Sequence, residues 1–348
     1  MLPLEALTAL GHEEVVFRQD PASGYRAIIA LHSTVLGPAT GGTRLWSYDS
    51  TSDALVDALR LSRGMTYKKA VAGLALGGGK AVILVPPEPF DRTQLFLAHG
   101  RAVQSLGGRF ITAEDVGTMP ADLEVAARET GWVAGFDGRG GDPSPWTARG
   151  VMAGLVAATE HRWGSPELNG RIVALQGCGN VGAALARQLA AAGATLVVAD
   201  SDTARAEKLA DEIGASVVAP EVIYDVEADI FSPCALGSIL NDDTVGRLRV
   251  KVIAGAANNQ LAEDRHAEAL AAREIVWAPD FVINAGGVIS GSVALLGSTQ
   301  ADMIRRVDAI HDTTREVLDY AAREHVTTLR AAEWRAEMTL SGAREDTQ

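Results

Sequence analysis

Residues 171–200, RIVALQGCGNVGAALARQLAAAGATLVVAD, spell out one complete local unit. Ile172-Val173-Ala174-Leu175 is a short aliphatic run of the kind that fills a buried parallel strand. Gly177, Gly179 and Gly182 follow at once as GxGxxG in QGCGNVGAAL. The first glycine permits a tight turn, the second lets the backbone approach a pyrophosphate, and the third lets the next helix pack closely on the strand. Asn180 and Val181 open that helix, whose unpaired N–H groups and positive dipole end face the phosphates. Asp200 closes the next strand, TLVVAD, about 20 residues beyond the turn, where a carboxylate would accept hydrogen bonds from the adenine ribose hydroxyls. The plain alternative is an ordinary strand-end acid. Asp202 follows and no arginine occurs before Arg205, so a ribose 2′-phosphate would be repelled and NAD is expected over NADP.

Outward from this unit the pattern stays regular. A helix at 148–161 precedes it; a helix at 203–212 and short strands at 216–218, 229–231, 250–254 and 275–277 follow. Strands alternating with helices predict a doubly wound parallel sheet. Pro233-Cys234-Ala235 and Ala256-Ala257-Asn258 come directly after strands of that sheet, where open α/β sheets bind ligands, so both loops should line the cofactor crevice. The tail from Thr299 is charged and amphipathic, as helices covering an outer face would be.

The first 140 residues mix β-rich runs (15–18, 25–32, 81–85, 110–112) with helical patterns. Ser52 can cap a helix carrying Leu55, Leu59 and Met65. Pro86, Pro87 and Pro89 close the strand after Lys80. The stretch GFDGRGGDPSPW, residues 135–146, is too rich in glycine and proline for regular structure and reads as a crossing between domains. The expected fold is therefore α/β with two domains separated by a cleft: residues 1–146, joined by C-terminal helices from about 320–348, and a Rossmann-type domain at 147–319.

The 348-residue length favours two cores over one. A formal charge of −13 leaves no broad basic face for nucleic acid or anionic lipid, so neither is an expected partner. Cys178 and Cys234 are the only cysteines, in apolar settings without disulfide or metal-ligand spacing; no metal is expected, and a reducing cytoplasm fits best. The N-terminus lacks a basic start and cleavage signature, and no long apolar run is free of charge.

Chemistry has to come from the first domain. Lys80 sits between a triple glycine and an apolar strand in LALGGGKAVILV; burial there would disfavour its ammonium and suit it to be a general base, and the alternative is a lysine reaching to water from a strand end. Lys68 in MTYKKA reads by spacing as half of an exposed Lys-Lys pair. Asp115 in FITAEDVGT either caps the next helix or accepts a proton in a cleft. Gly41-Gly42 is either a plain turn or a place where backbone N–H groups meet a substrate carboxylate, and Asn284 in VINAGGV is equally open.

Taken in order, ATGGTRLW, MTYKKAVAGLALGGGKAV, ITAEDVGT, PWTARGV, LQGCGNVG, GAANNQL and VINAGGVI resemble the glutamate, leucine, phenylalanine and valine dehydrogenase superfamily over nearly the whole chain, and most of all its bacterial phenylalanine-specific branch. That resemblance implies that Lys80 is a base acting through water, with Asp115 as its partner in proton transfer to and from the amino group. It implies that Lys68, the Gly42 backbone and Asn284 hold the substrate α-carboxylate, and that Thr147 and Asn258 fix the nicotinamide carboxamide. Hydride would pass from Cα to nicotinamide C4, leaving an imine that water converts to a 2-oxo acid and ammonia. Where glutamate enzymes place a lysine before the two glycines this chain has Thr40, so no cation is expected to await a side-chain carboxylate. Gly291, with Ala113 and Val288 as the other wall positions, would leave room for a ring. The expectation is L-phenylalanine oxidised to phenylpyruvate by a homo-oligomer, with leucine or valine as the alternative. A folate-type reductase is disfavoured by the ordered Gly-Gly, Lys, Lys, Asp series. A non-enzymatic NAD-sensing protein would have no use for the second lysine and Asp115.

Overall fold

The computed structural model describes residues 3–135 and 142–345; of the crossing expected at 135–146, residues 136–141 lie outside the described residues. The chain forms two compact units, one of Met1–Gly141, Ala294–Gly297 and Ala336–Gln348, the other of Asp142–Val293 and Ser298–Arg335. The division falls before Thr147 because Thr147 lies inside a helix, and the C-terminal return begins at Ala336 rather than near 320.

The first unit runs α1 (Pro3–Leu10), β1 (Glu14–Asp20), β2 (Tyr25–Ser33), β3 (Ala39–Trp46), α2 (Thr51–Val71), β4 (Gly77–Leu84), α3 (Arg92–Gln104), β5 (Phe110–Glu114) and α4 (Pro120–Ala126). Its sheet has the order β1-β2-β4-β3-β5, with β3 parallel to both β4 and β5 and the other pairings antiparallel. Alternation along the strands divides the core. Ile28, Ala30 and Val82 pack on Ala54, Leu55, Ala58 and Leu59 of α2, while Ala27, Ile29, Leu31, Ala81 and Ile83 pack on Leu95, Phe96 and Val103 of α3. Lys80 therefore shares the α2 face with Val82.

Three local expectations are corrected here. Gly41-Gly42 is no turn but the middle of β3, and Gly77-Gly78-Gly79 belongs to β4. The cap of α2 is Ser50, whose hydroxyl accepts from Asp53 N at 3.1 Å, so the helix starts before Ser52. The glycines serve close approach between backbones: a Cβ on Gly41 would overlap the Gly79 carbonyl oxygen, and one on Gly78 would overlap the backbone N of Thr66. That lets α2 lie against β4 and brings the Lys69 side chain onto the Gly77 carbonyl of β4. Gly64, also in α2, is exposed and a Cβ there meets nothing within 4 Å. Gly64→Ala is accordingly expected to raise stability by about 0.5–1 kcal/mol, read from the urea midpoint, because alanine loses less conformational freedom in a helix.

The second unit holds α5 (Ser144–Trp163), β6 (Ile172–Gln176), α6 (Asn180–Ala191), β7 (Thr195–Ala199), α7 (Thr203–Ile213), β8 (Ser216–Val217), β9 (Ile230–Pro233), β10 (Val252–Ile253), α8 (Arg265–Ala272), β11 (Val276–Trp277) and α9 (Asp280–Ile283). Then come α10 (Gly286–Leu296), α11 (Gln300–Asp308), α12 (Ile310–Glu324) and α13 (Thr328–Glu345). The sheet is wholly parallel in the order β11-β10-β9-β6-β7-β8. Chain order reverses at β6, which has β7 on one side and β9 on the other, so the glycine turn lies at the switch point of a doubly wound fold. No helix among the described residues is long and apolar enough to cross a membrane.

Candidate active site

In the first unit, β4 and the loop after β5 bring Lys80 and Asp115 together. Lys80 Nζ donates to Asp115 Oδ2 at 2.5 Å, and the lysine side chain is 6% exposed. Burial lowers the Lys80 pKa; the Asp115 charge works the other way and does not cancel the effect. Burial also pushes Asp115 upward, but Lys80 and Arg44 outweigh it and hold the carboxyl below its usual range. Asp115 is not a helix cap. The N-cap of α4 is Met119, whose N–H donates to Asp122 at 2.8 Å. The Asp115 loop is fixed by Thr118, whose hydroxyl accepts from Asp115 N at 3.0 Å and whose oxygen lies 3.0 Å from the Thr43 carbonyl.

Of the remaining expected residues of this unit, Gly42 lies directly against that pair. Gly42 stands beside Ala113 in register, and a Cβ on Gly42 would come within 2.6 Å of Asp115 Cβ, so only glycine leaves the carboxylate room. Lys68 is half-buried in the last turn of α2, and Lys69 beside it is fully buried, so the Lys-Lys pair is not an exposed one. Lys69, which sequence reasoning did not single out, reaches Thr40. Its Nζ donates to the Thr40 carbonyl at 2.5 Å, to the Thr40 hydroxyl and to the Gly77 carbonyl at 2.6 Å. Three acceptors match the three N–H groups of an ammonium, so this side chain is spent on the fold even though burial pushes its pKa down. Sequence reasoning also missed Arg44, Asp57 and Tyr48. Arg44 Nε donates to Asp115 Oδ2 at 3.1 Å and Nη1 to Asp57 Oδ2 at 2.8 Å, while the Tyr48 hydroxyl donates to Asp57 at 2.5 Å. The ATGGTRLW segment already contained Arg44, but its partners lie 71 and 13 residues away in sequence.

In the second unit the glycine turn has the geometry its spacing implied. Gly177 has φ +95°, where a side chain is strained, and a Cβ would also strike Ala235 N at 2.8 Å. A Cβ on Gly182 would overlap the Gly177 carbonyl oxygen, whereas one on Gly179 meets nothing within 4 Å. The middle glycine thus faces open space while its neighbours are packed in, as a backbone reserved for a phosphate requires. A cleft of about 720 Å³ opens there, lined by Cys178, Gly179, Asn180 and Arg205 among others. Asp200 is buried, accepts from Cys178 N at 2.7 Å and from Asp202 N at 2.8 Å, and lies 3.4 Å from Arg205. It therefore braces the turn as well as marking the strand end, and Arg205 offsets part of the negative charge expected at this position.

Cys234 and Ala235 pack on the turn, and Ala257 N donates to the Pro233 carbonyl at 2.9 Å, joining the loops after β9 and β10. Asn284 lies beside them: Nδ2 donates to the Ala256 carbonyl at 3.2 Å and to Asn258 Oδ1 at 3.0 Å. Both amide hydrogens are thereby used, and the buried Oδ1 has no partner among the described residues. An unsatisfied buried acceptor calls for an N–H donor, and a carboxamide supplies one, so Asn258 and Asn284 fit a nicotinamide group. Thr147, in the first turn of α5, meets the same segment, because a Cβ on Gly287 would lie 2.6 Å from its hydroxyl. Val288 is half-buried, Gly291 is exposed, and a Cβ on Gly291 meets nothing within 4 Å.

Residues 12–132 match the family model described as Glu/Leu/Phe/Val dehydrogenase, dimerisation domain, and residues 201–344 match the model Glutamate/Leucine/Phenylalanine/Valine dehydrogenase. The leucine dehydrogenase of Bacillus cereus is 48% identical over 340 residues, covering 97% of this chain and 93% of that one. The chain belongs to the Glu/Leu/Phe/Val dehydrogenase family. The L-tryptophan dehydrogenase of Nostoc punctiforme is 46% identical over 346 residues (99% and 98% covered), and the phenylalanine dehydrogenase of Caldalkalibacillus thermarum 45% over 329 residues (92% and 89%). The crystal structure of the Nostoc enzyme superposes with a TM-score of 0.90 at 43% identity, over 98% of this chain and 99% of that one. As a family member the chain is an amino-acid dehydrogenase, an oxidoreductase acting on CH–NH2 donors, with a Rossmann-type domain for NAD.

Proposed function

We propose that this dehydrogenase catalyses the reversible oxidative deamination of an apolar L-amino acid, with a branched-chain substrate such as leucine preferred. The reading rests on the Lys80–Asp115 pair together with near-full-length similarity to leucine dehydrogenases. Gly177, Gly179, Asn180, Val181, Gly182, Asp200, Cys234, Ala235, Ala256, Asn258 and Thr147 would hold NAD, with the open Asn284 Oδ1 toward its carboxamide, and the bound cofactor would supply the acceptor for hydride from the substrate Cα. Lys80, neutral at the start, takes a proton from the water that adds to the resulting imine carbon. Its ammonium then stabilises the oxyanion, and Asp115, which takes a proton from the substrate ammonium before hydride leaves Cα, returns that proton to the amino group so that ammonia can leave. Lys68 and the Gly42 N–H receive the α-carboxylate. Asn284 could add to this only by releasing Ala256 or Asn258, since its open atom is an acceptor.

Thr40, Ala113, Val288 and Gly291 are the proposed wall of the side-chain pocket. Phenylalanine remains the second reading, supported by the open space beside Gly291. The match of residues 12–132 to a dimerisation-domain model supports a homo-oligomer. NADH formation measured across leucine, valine, phenylalanine, tryptophan and glutamate should give the largest kcat/KM with leucine. One methylene of misfit in an apolar pocket is worth only about 1–3 kcal/mol, so neighbours in the ranking should differ by about 10–200-fold. Glutamate as the best substrate would end the apolar reading.

A further inference from the structure

We infer that Arg44 sets the proton affinity of the Lys80–Asp115 pair, as a positioning residue that holds Asp115 ionised and lets Lys80 act as a neutral base. The inference rests on the proposed role of Lys80. Arg44 follows Gly42 by two positions in β3 and so points to the same α2 face of the sheet as Lys80. Its Nε and Lys80 Nζ donate to one and the same oxygen, Asp115 Oδ2, at 3.1 and 2.5 Å. On its other side Nη1 is held by Asp57 of α2 at 2.8 Å, and Tyr48 donates to that same Asp57 oxygen at 2.5 Å. The side chains of Arg44, Asp115 and Asp57 are 23%, 23% and 28% exposed, so solvent screens this chain of charges only in part.

The groups facing the pair are Arg44 from β3, Asp57 from α2 and Tyr48 from the segment after β3. A carboxylate alone beside Lys80 would favour the ammonium, which is the wrong state for a base. Arg44 shares that carboxylate and adds a like charge near Lys80, and both effects favour loss of the lysine proton. It also stops the lysine proton from simply transferring to Asp115, because a protonated Asp115 would forfeit its ion pair with Arg44. Asp57 pairs with Arg44 in turn, so the group carries one net negative charge with Lys80 neutral and none with Lys80 protonated.

The test is the pH dependence of kcat/KM for oxidative deamination in the full-length protein carrying Arg44→Met, Arg44→Lys or Asp57→Asn. A charge within about 4–6 Å moves a pKa by about one unit or more. Arg44→Met should therefore move the ascending limb, set by loss of the Lys80 proton, up by about one pH unit: the rate falls about tenfold below the limb and recovers above it. Arg44→Lys should bring the limb back toward the wild-type position. Asp57→Asn removes an anion and should move the limb the opposite way, a sign that structural damage would not reproduce; it also decides the matter should Arg44→Met fail to fold. A loss that is uniform across pH, or an Asp57→Asn limb that stays or rises, overturns the proposal. Lys80→Ala is measured in parallel: if it keeps its turnover, the base reading itself is wrong, whereas an inactive Lys80→Ala beside an unmoved Arg44→Met limb removes only Arg44.

Discussion

Lys80→Ala should lower kcat for oxidative deamination by about 10²–10⁴-fold, the usual contribution of a positioned general base. The lysine is buried and hydrogen-bonded to Asp115, and burial pushes its pKa below the ordinary lysine value. Alanine supplies no proton acceptor, and water admitted in its place lacks a matched pKa. Affinity for NAD, followed by titration calorimetry, should be unchanged, because the glycine turn and Asp200 belong to the other compact unit. The fold should also hold, since Arg44 still pairs with the Asp115 carboxylate after the lysine is gone. Retained turnover, or NAD affinity lost along with activity, would remove Lys80 from the base role.

Gly41→Ala is expected to cost about 3 kcal/mol or more, at the upper end of overpacking. The added methyl would overlap the Gly79 carbonyl oxygen on the neighbouring parallel strand. Neither partner is a flexible side chain, so relief requires β3 and β4 to separate, and Lys80 follows Gly79 directly. A loss of that size is a large share of the about 5–15 kcal/mol that holds a domain together. The urea midpoint should drop sharply, against the modest rise expected for Gly64→Ala, where the methyl meets open space. Equal midpoints for the two variants would show that the strands can yield and that the close approach is not what selects glycine.

The legible parts of this protein were those in which one segment contains its own cause. The strand, glycine turn, helix and acid of residues 171–200 all lie within 30 consecutive positions, and β6, α6 and β7 form there with the packed, open and packed glycines that the spacing implied. Lys80 and Asp115 stood out because a lysine beside a triple glycine and an acid before a loop glycine are locally unusual. By contrast, β3 does not read as a strand from its sequence. Paired glycines look like a turn until the strand beside them is known, and here that strand carries glycines of its own.

Local sequence therefore determined the class of fold, the cofactor unit and the two titratable groups of the proposed catalytic pair, since periodicity, glycine spacing and unusual neighbours are properties of short segments. Only the tertiary structure decided what surrounds those groups. Lys69 is spent on Thr40 and Gly77, Arg44 joins Asp57 to Asp115, and Asn284 keeps an acceptor open while its amide hydrogens are bound. Each of these depends on distance in space between elements far apart in the chain. A hydrogen bond or an ion pair reaches only a few ångströms, so its partners become known when the strands and helices that carry them are in place.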